Sequence, residues 1–221
     1  MRRGVLKNEV TAARSAYSDA SDVSNNHVRD TLDHMKEIEV LVEVKSSKEQ
    51  ALKALEHFTF KGAKEVVDVY FMDPLRPELR PDDKGRLSNS FRFRLKDGKA
   101  TVAYKKDYFD DRMQWIYSDE HETAIEDFDT ALEINRYLGL EELVRVENTK
   151  YTYVADDYEI VIEDVKDLGL FMEVEKLTQV PDEKVHEAKA AIRDFILTLR
   201  LETGEEQNAG KPELLLRRRT G

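Results

Sequence analysis

The chain has 221 residues, with 35 Lys and Arg against 46 Asp and Glu, a net charge of -11, and 40% hydrophobic residues. This length suits one domain with tails, and the acidic balance argues against nonspecific nucleic-acid binding, which draws on clustered positive charge. No apolar run approaches the ~20 residues that cross a bilayer, the start lacks a signal-peptide apolar region, and the absence of cysteine excludes disulfides and thiolate metal sites, so the expected setting is cytoplasmic, without membrane or nucleic-acid partners.

Residues 1–34 are rich in Ser, Ala, Asn and Asp without sustained periodicity and read as a mobile extension. From Met35 the texture changes. Ile38, Val40, Val42 and Val44 alternate with Glu37, Glu39, Leu41, Glu43 and Lys45, the pattern of a strand with one apolar face. Ser46 and Ser47 then offer N-caps, with Glu49 and Gln50 three residues on, and Ala51, Leu52, Leu55 and Phe58 give a helix its buried stripe. A second strand is predicted over Glu65–Met72, ending in a loop whose prolines, Pro74, Pro77 and Pro81, exclude a helix.

The next segment runs against the global charge. Residues 76–106 hold ten Lys and Arg and only four acids. Within it Arg92, Arg94 and Lys96 fall on alternate residues, with Phe91, Phe93 and Leu95 between them, and Asp97-Gly98 turns the chain into a hairpin that carries Lys105. A strand follows over Gln114–Ile125, a helix over Asp127–Leu138 stopped by Gly139, and strands at Leu143–Val154, Tyr158–Glu163 and Leu170–Glu175. Pro181 precedes an amphipathic helix over Asp182–Leu201. Residues 35–201 thus form the expected domain, and 202–221 read as a polar tail in which the apolar Pro212–Leu216 is expected to fold back as a last turn.

Several strands carry charge on a face that a sheet otherwise buries: Glu37, Glu39, Glu43 and Lys45; Arg92, Arg94 and Lys96; Glu120 and Glu122; Lys150; Glu173 and Glu175. For Glu37 and Glu39 a plain solvent-facing role is an equal alternative. If the strands surround one lumen, cations there neutralise phosphate oxygens while carboxylates hold hard ions such as Mg2+ or Mn2+. Trp115 and Tyr117 are expected on the exterior, and the histidines lack metal-ligand spacing.

Read in order, these pieces resemble the CYTH, or triphosphate tunnel metalloenzyme, superfamily, which contains class IV adenylyl cyclases and inorganic and thiamine triphosphatases. The resemblance rests on EVLVEVK as an ExExK-type strand, Asp68-Val-Tyr-Phe71, the Arg92/Arg94 pair, Tyr104-Lys105, Glu120 with Glu122, TKYTY, and EDVKDLGLFMEVE, with Leu168, Gly169, Phe171, Glu173 and Glu175 in register. It departs from the family at Leu41, where the first Glu of that strand is expected, at Asp167, at Asn148 and at Glu163.

The resemblance implies an α+β protein with a closed or nearly closed antiparallel barrel and helices outside, taking a small-molecule triphosphate end-on. It implies that Lys45, Arg92, Arg94, Lys105 and Lys150 bind phosphates, that Glu43, Glu120, Glu122, Glu163 and Glu173 hold Mg2+ or Mn2+, and that Lys45 and Glu122 are catalytic. The expected reaction is that of a class IV adenylyl cyclase, ATP to cyclic AMP and pyrophosphate. The alternatives are hydrolysis of tripolyphosphate, thiamine triphosphate or a nucleotide, and noncatalytic triphosphate binding. Oligomeric state is left open.

Overall fold

A computed structural model of the chain describes residues 35–220. The extension read over residues 1–34 lies outside the described residues. Ten strands form one antiparallel sheet: β1 Met35–Glu37, β2 Glu39–Val44, β3 Thr59–Met72, β4 Asn89–Lys96, β5 Lys99–Phe109, β6 Trp115–Ile125, β7 Glu141–Ala155, β8 Tyr158–Val165, β9 Gly169–Lys176 and β10 Thr203–Glu206. The helices are α1 Lys48–Ala54, α2 Phe128–Tyr137, α3 Val185–Thr198 and α4 Lys211–Thr220.

The first predicted strand is two, broken at Ile38, and the two halves pair with different strands. The strand order is β1-β6-β5-β4-β3-β7-β8-β9-β2-β10. Glu37 pairs with Ser118 of β6 and Glu39 with Glu175 of β9, so one stretch of chain joins both ends of the sheet. With β1 and β2 taken as one strand, and β10 paired only to the end of β2, eight strands surround a lumen.

Local chemistry places these elements. Ser47 caps α1 in a reciprocal capping box, its hydroxyl accepting from the Gln50 amide while Gln50 Oε1 accepts from the Ser47 amide. Asp127 caps α2 through the Thr130 amide at 2.9 Å. The Asp97-Gly98 turn has positive φ at both residues, 50° and 72°, the geometry whose twist suits a two-residue hairpin.

Alternation sorts the side chains. Ile38, Val40, Val42 and Val44 point outward with Ile160, Ile162, Met172 and Val174, where Val185, Ala188, Ile192 and Ile196 of α3 cover them. Leu132 of α2 covers Val69, Phe71 and Phe93 on another side. The opposite faces of the same strands are left to line the lumen.

The last residues do more than a polar tail would. Leu215 of α4 packs on Leu41, Tyr70, Val144, Val146, Val165 and Phe171, residues that share the inward faces of their strands with the lumen charges. Along each of these strands the inward face changes from charged to apolar, and α4 seals the apolar end. Glu213 fastens the seal, accepting from the amides of Leu87 and Gly210.

Candidate active site

The lumen contains a cavity of about 190 Å³ whose lining carries nine carboxylates and six cations. The two signs are segregated. Arg92, Arg94 and Lys96 come from β4, Lys105 from β5 and Lys150 from β7, whereas Glu37 and Glu39 come from β1 and β2, Glu159 from β8, and Glu173 and Glu175 from β9. In the eight-strand order, three strands separate β4 from β9 in either direction. A cationic wall therefore faces an acidic one.

On the cationic wall, Asp68 of β3 holds Arg94 with two hydrogen bonds, to Nε at 2.7 Å and Nη2 at 3.0 Å. Burial alone pushes the Asp68 carboxyl up, but the Arg94 and Arg92 guanidiniums overcome it and hold the group at about 2. Arg92 donates to Glu120 at 2.6 Å and lies 3.5 Å from Glu122. Its Nε is buried without a hydrogen-bond partner, an uncommon and costly state for a charged donor. Lys96 has its pKa lowered by burial and by Lys150 and Arg94 nearby.

On the acidic wall, Glu39, Glu175 and Glu159 stand side by side on three adjacent strands. Burial and the neighbouring Glu173 raise Glu39 to about 7, and burial with Glu39 and Glu37 raises Glu175 to about 8. Lys105 reaches over from β5 to Glu37 at 2.7 Å and Glu39 at 3.2 Å. Burial disfavours its charge, yet these glutamates and Glu120 hold its pKa well above the usual lysine range.

Of the residues singled out from sequence, Arg92, Arg94, Lys105, Lys150, Glu120 and Glu173 all line the cavity. Glu122 does not line the cavity; its side chain is 40% exposed and lies 3.5 Å from Arg92. Glu163 is fully buried and committed to protein partners, Lys150 at 3.0 Å, Lys211 at 2.9 Å and the Asn148 amide at 2.9 Å. Glu43 and Lys45 are exposed and are not brought to the cavity. Glu43 pairs with Phe171, beyond the apolar seal that begins at Leu41. The acids that the first strand sends inward are Glu37 and Glu39, one repeat earlier in the same alternation.

The sequence reading also passed over other contributors. Trp115, expected outside, lines the cavity with Lys105 Nζ 5.5 Å from its ring centroid. Tyr117 stacks on Tyr108. Asp68 carried a signal, being the one charge between Val66 and Tyr70 on an otherwise apolar inward face. Lys211 of α4, paired with Glu163 and Glu173, carried none.

The donor set suits a hard divalent ion in kind, since every acidic group is a carboxylate. Among the described residues, no three acidic or imidazole groups converge on one point; Lys105 pairs with Glu37 and Glu39, and Lys211 with Glu163 and Glu173. Burial first, and the neighbouring carboxylates second, raise Glu39 and Glu175.

The CYTH domain matches residues 35–207. The chain belongs to the CYTH domain family. A Methanocaldococcus jannaschii protein named "Putative adenylate cyclase" is 32% identical over 148 residues, 67% of this chain and 79% of its own length. Among solved structures, a Pyrococcus horikoshii protein superposes with a TM-score of 0.69 at 24% identity, over 82% of this CYTH chain and 99% of that one. A Hippeastrum protein, called a "Putative adenylyl cyclase" with a dominant triphosphatase activity, superposes with a TM-score of 0.54 at 16% identity, covering 79% of this chain and 92% of its own. These structural likenesses carry the fold of the CYTH domain. No described helix is long and apolar enough to cross a membrane.

Proposed function

We propose that this CYTH protein is a metal-dependent enzyme that cleaves a phosphoanhydride bond of a triphosphate compound held in its lumen. The observation that carries the reading is the pairing of a cationic wall, with the unpartnered Arg92 Nε, against a crowded acidic wall. The acidic wall repels a bare polyanion that the cationic wall attracts. A polyanion chelated by divalent cations matches both walls at once.

In this reading Arg92, Arg94, Lys105 and Lys150 bind the phosphate oxygens, and Asp68 fixes the orientation of Arg94. Glu37, Glu39 and Glu175, joined by Glu120 and Glu173, hold Mg2+ or Mn2+. When bound, the ion supplies Lewis-acid polarisation of the phosphoryl oxygens. Glu122, outside the tightest ion pairs and 3.5 Å from Arg92, is the carboxylate we assign to take a proton from the attacking hydroxyl or water.

Cyclisation of ATP to cyclic AMP and pyrophosphate is the first form of the reaction, suggested by the name of the M. jannaschii relative. Hydrolysis of a triphosphate is the second. The test is purified protein with Mn2+ and either ATP or tripolyphosphate, following cyclic AMP, pyrophosphate and phosphate. Cyclic AMP establishes the cyclase and phosphate alone the triphosphatase, while saturable binding without turnover overturns the enzymatic reading.

A further inference from the structure

Lys105 stands where the two walls meet, and its contacts conflict with a metal on the acidic one. Its side chain is 18% exposed, and its ammonium lies 2.7 Å from Glu37, 3.2 Å from Glu39 and 4.0 Å from Glu120. All three are carboxylates that the reading above gives to the divalent ion. An ammonium and a divalent ion compete for the same oxygen lone pairs and repel each other. A buried lysine displaced without a new partner is strongly destabilising, so the cavity needs a second place for this charge.

Such a place lies one inward position along β5. Asp107 is two residues on from Lys105, on the same face of the strand, and lines the cavity. Burial raises its carboxyl above the ordinary range, and Lys105 is the first of the groups that act against this. The carboxylate is fixed in place, since the Asp107 amide donates to the Ser88 carbonyl at 2.9 Å and its Oδ1 accepts from the Ser118 hydroxyl at 2.6 Å.

Ser118 Oγ accepts in turn from Trp115 Nε1 at 3.0 Å, which makes the carboxylate and the indole one hydrogen-bonded unit. Lys105 Nζ is 5.5 Å from the Trp115 ring centroid, within the range of cation–π attraction. The ring is held from outside the lumen. Trp115 is 9% exposed, its amide donates to Asn208, and its carbonyl accepts from Lys189 of α3, whose ammonium is 5.1 Å from the ring centroid and 3.1 Å from Glu206 of β10. None of these contacts involves Lys105, so the indole keeps its place when the ammonium moves.

We propose that Asp107 and Trp115 are positioning residues that form a second seat for the Lys105 ammonium. In the metal-free protein Lys105 is the counter-ion of Glu37 and Glu39. With a divalent ion on those carboxylates it turns to Asp107 and the Trp115 ring, and remains a charged donor inside the lumen. This rests on the metal-dependent reading above and adds to it how the acidic wall is freed for metal. It also makes Trp115, the one tryptophan of the chain, a built-in reporter of the exchange.

The test titrates Mg2+ into the full chain, reading heat by calorimetry and Trp115 emission together, for wild type, Asp107→Asn, Lys105→Met and the double variant Lys105→Met/Asp107→Asn. Wild type is expected to show an emission change that saturates with the heat. Lys105→Met is expected to keep or gain Mg2+ affinity, because the competing ammonium is gone, and to lose the emission change. Asp107→Asn is expected to weaken Mg2+ binding about threefold or more with Lys105 present, and to have no measurable effect in the Lys105→Met background. An equal loss in both backgrounds would overturn the seat by showing that Asp107 acts only on the structure. Mg2+ binding to wild type with unchanged Trp115 emission would also overturn it, and requires no variant to fold, as would an emission change that survives in Lys105→Met. Failure of wild type to bind Mg2+, alone or with tripolyphosphate, would instead overturn the metal-dependent reading and the seat with it.

Discussion

Replacing Asp68 with Asn removes one charge from the most enclosed ion pair of the cationic wall. Asp68 is 3% exposed and holds the Arg94 guanidinium at 2.7 and 3.0 Å. Its carboxyl sits at about 2 against an ordinary 3.8, and at about 1.4 kcal/mol per pKa unit this corresponds to about 2–3 kcal/mol of stability at neutral pH. Breaking a buried pair from one side costs about 3–5 kcal/mol. The Arg94 side chain is 20% exposed, which places this case at the low end, and the two estimates agree near 3 kcal/mol. For a chain of this size that lowers the melting temperature by about 5–12 °C. The sign with pH provides a second check. A depressed carboxyl contributes stability above its unfolded pKa and loses it as pH falls through the folded value, so the gap between wild type and Asp68→Asn closes from about pH 4 to about pH 2. Urea unfolding of both proteins at several pH values measures it. A neutral-pH difference under about 1 kcal/mol, or a gap that persists at pH 2, would refute the ion-pair reasoning.

The acidic wall predicts the opposite trend. Glu39 at about 7 and Glu175 at about 8 lie above their ordinary 4.5, so the folded protein binds extra protons, and stability in EDTA falls as pH rises from about 4.5 to about 8. Added Mg2+ is expected to flatten that slope, and a stability that rises over the range would contradict it. Glu43→Ala and Lys45→Ala, both exposed outside the cavity, are expected to change triphosphate affinity less than about twofold, within the ~0.5 kcal/mol typical of such positions, whereas Glu39→Gln weakens the metal-dependent component tenfold or more. Leu215→Ala removes the apolar contact that seats α4 and should cost about 2–5 kcal/mol in unfolding experiments; a neutral effect would mean that α4 is not a seal.

Much of this was legible in the sequence because period-two alternation is a strong signal when cations replace polar filler. The β4 hairpin showed Arg92 and Arg94 on one face and Phe91 and Phe93 on the other, and the structure keeps that division. The same periodicity does not say which first-strand residues line the cavity, which are Glu37 and Glu39 rather than Glu43 and Lys45. Glu37, Glu39, Leu41 and Glu43 all share a face, so alternation cannot tell which of them lies at the charged level. The docking of α4 against Leu41 decides it, and that contact joins residues far apart in the chain. Trp115 shows a related limit. It lies beside a register shift between Tyr108 and Phe109, where counting by twos no longer gives the face. Lys211 was unreadable for a different reason. A short helix with three consecutive leucines has a weak amphipathic pattern, and its worth appears only once the barrel end it closes is known.

The central claim is that opposed charged walls bind a triphosphate together with divalent metal. Calorimetric titration of wild type and Arg92→Ala with tripolyphosphate, in Mg2+ and in EDTA, tests it most directly. The account predicts saturable one-to-one binding by wild type in Mg2+, at least tenfold weaker in EDTA and at least tenfold weaker in Arg92→Ala. Equal affinity with and without metal, or undiminished binding by Arg92→Ala, would contradict it.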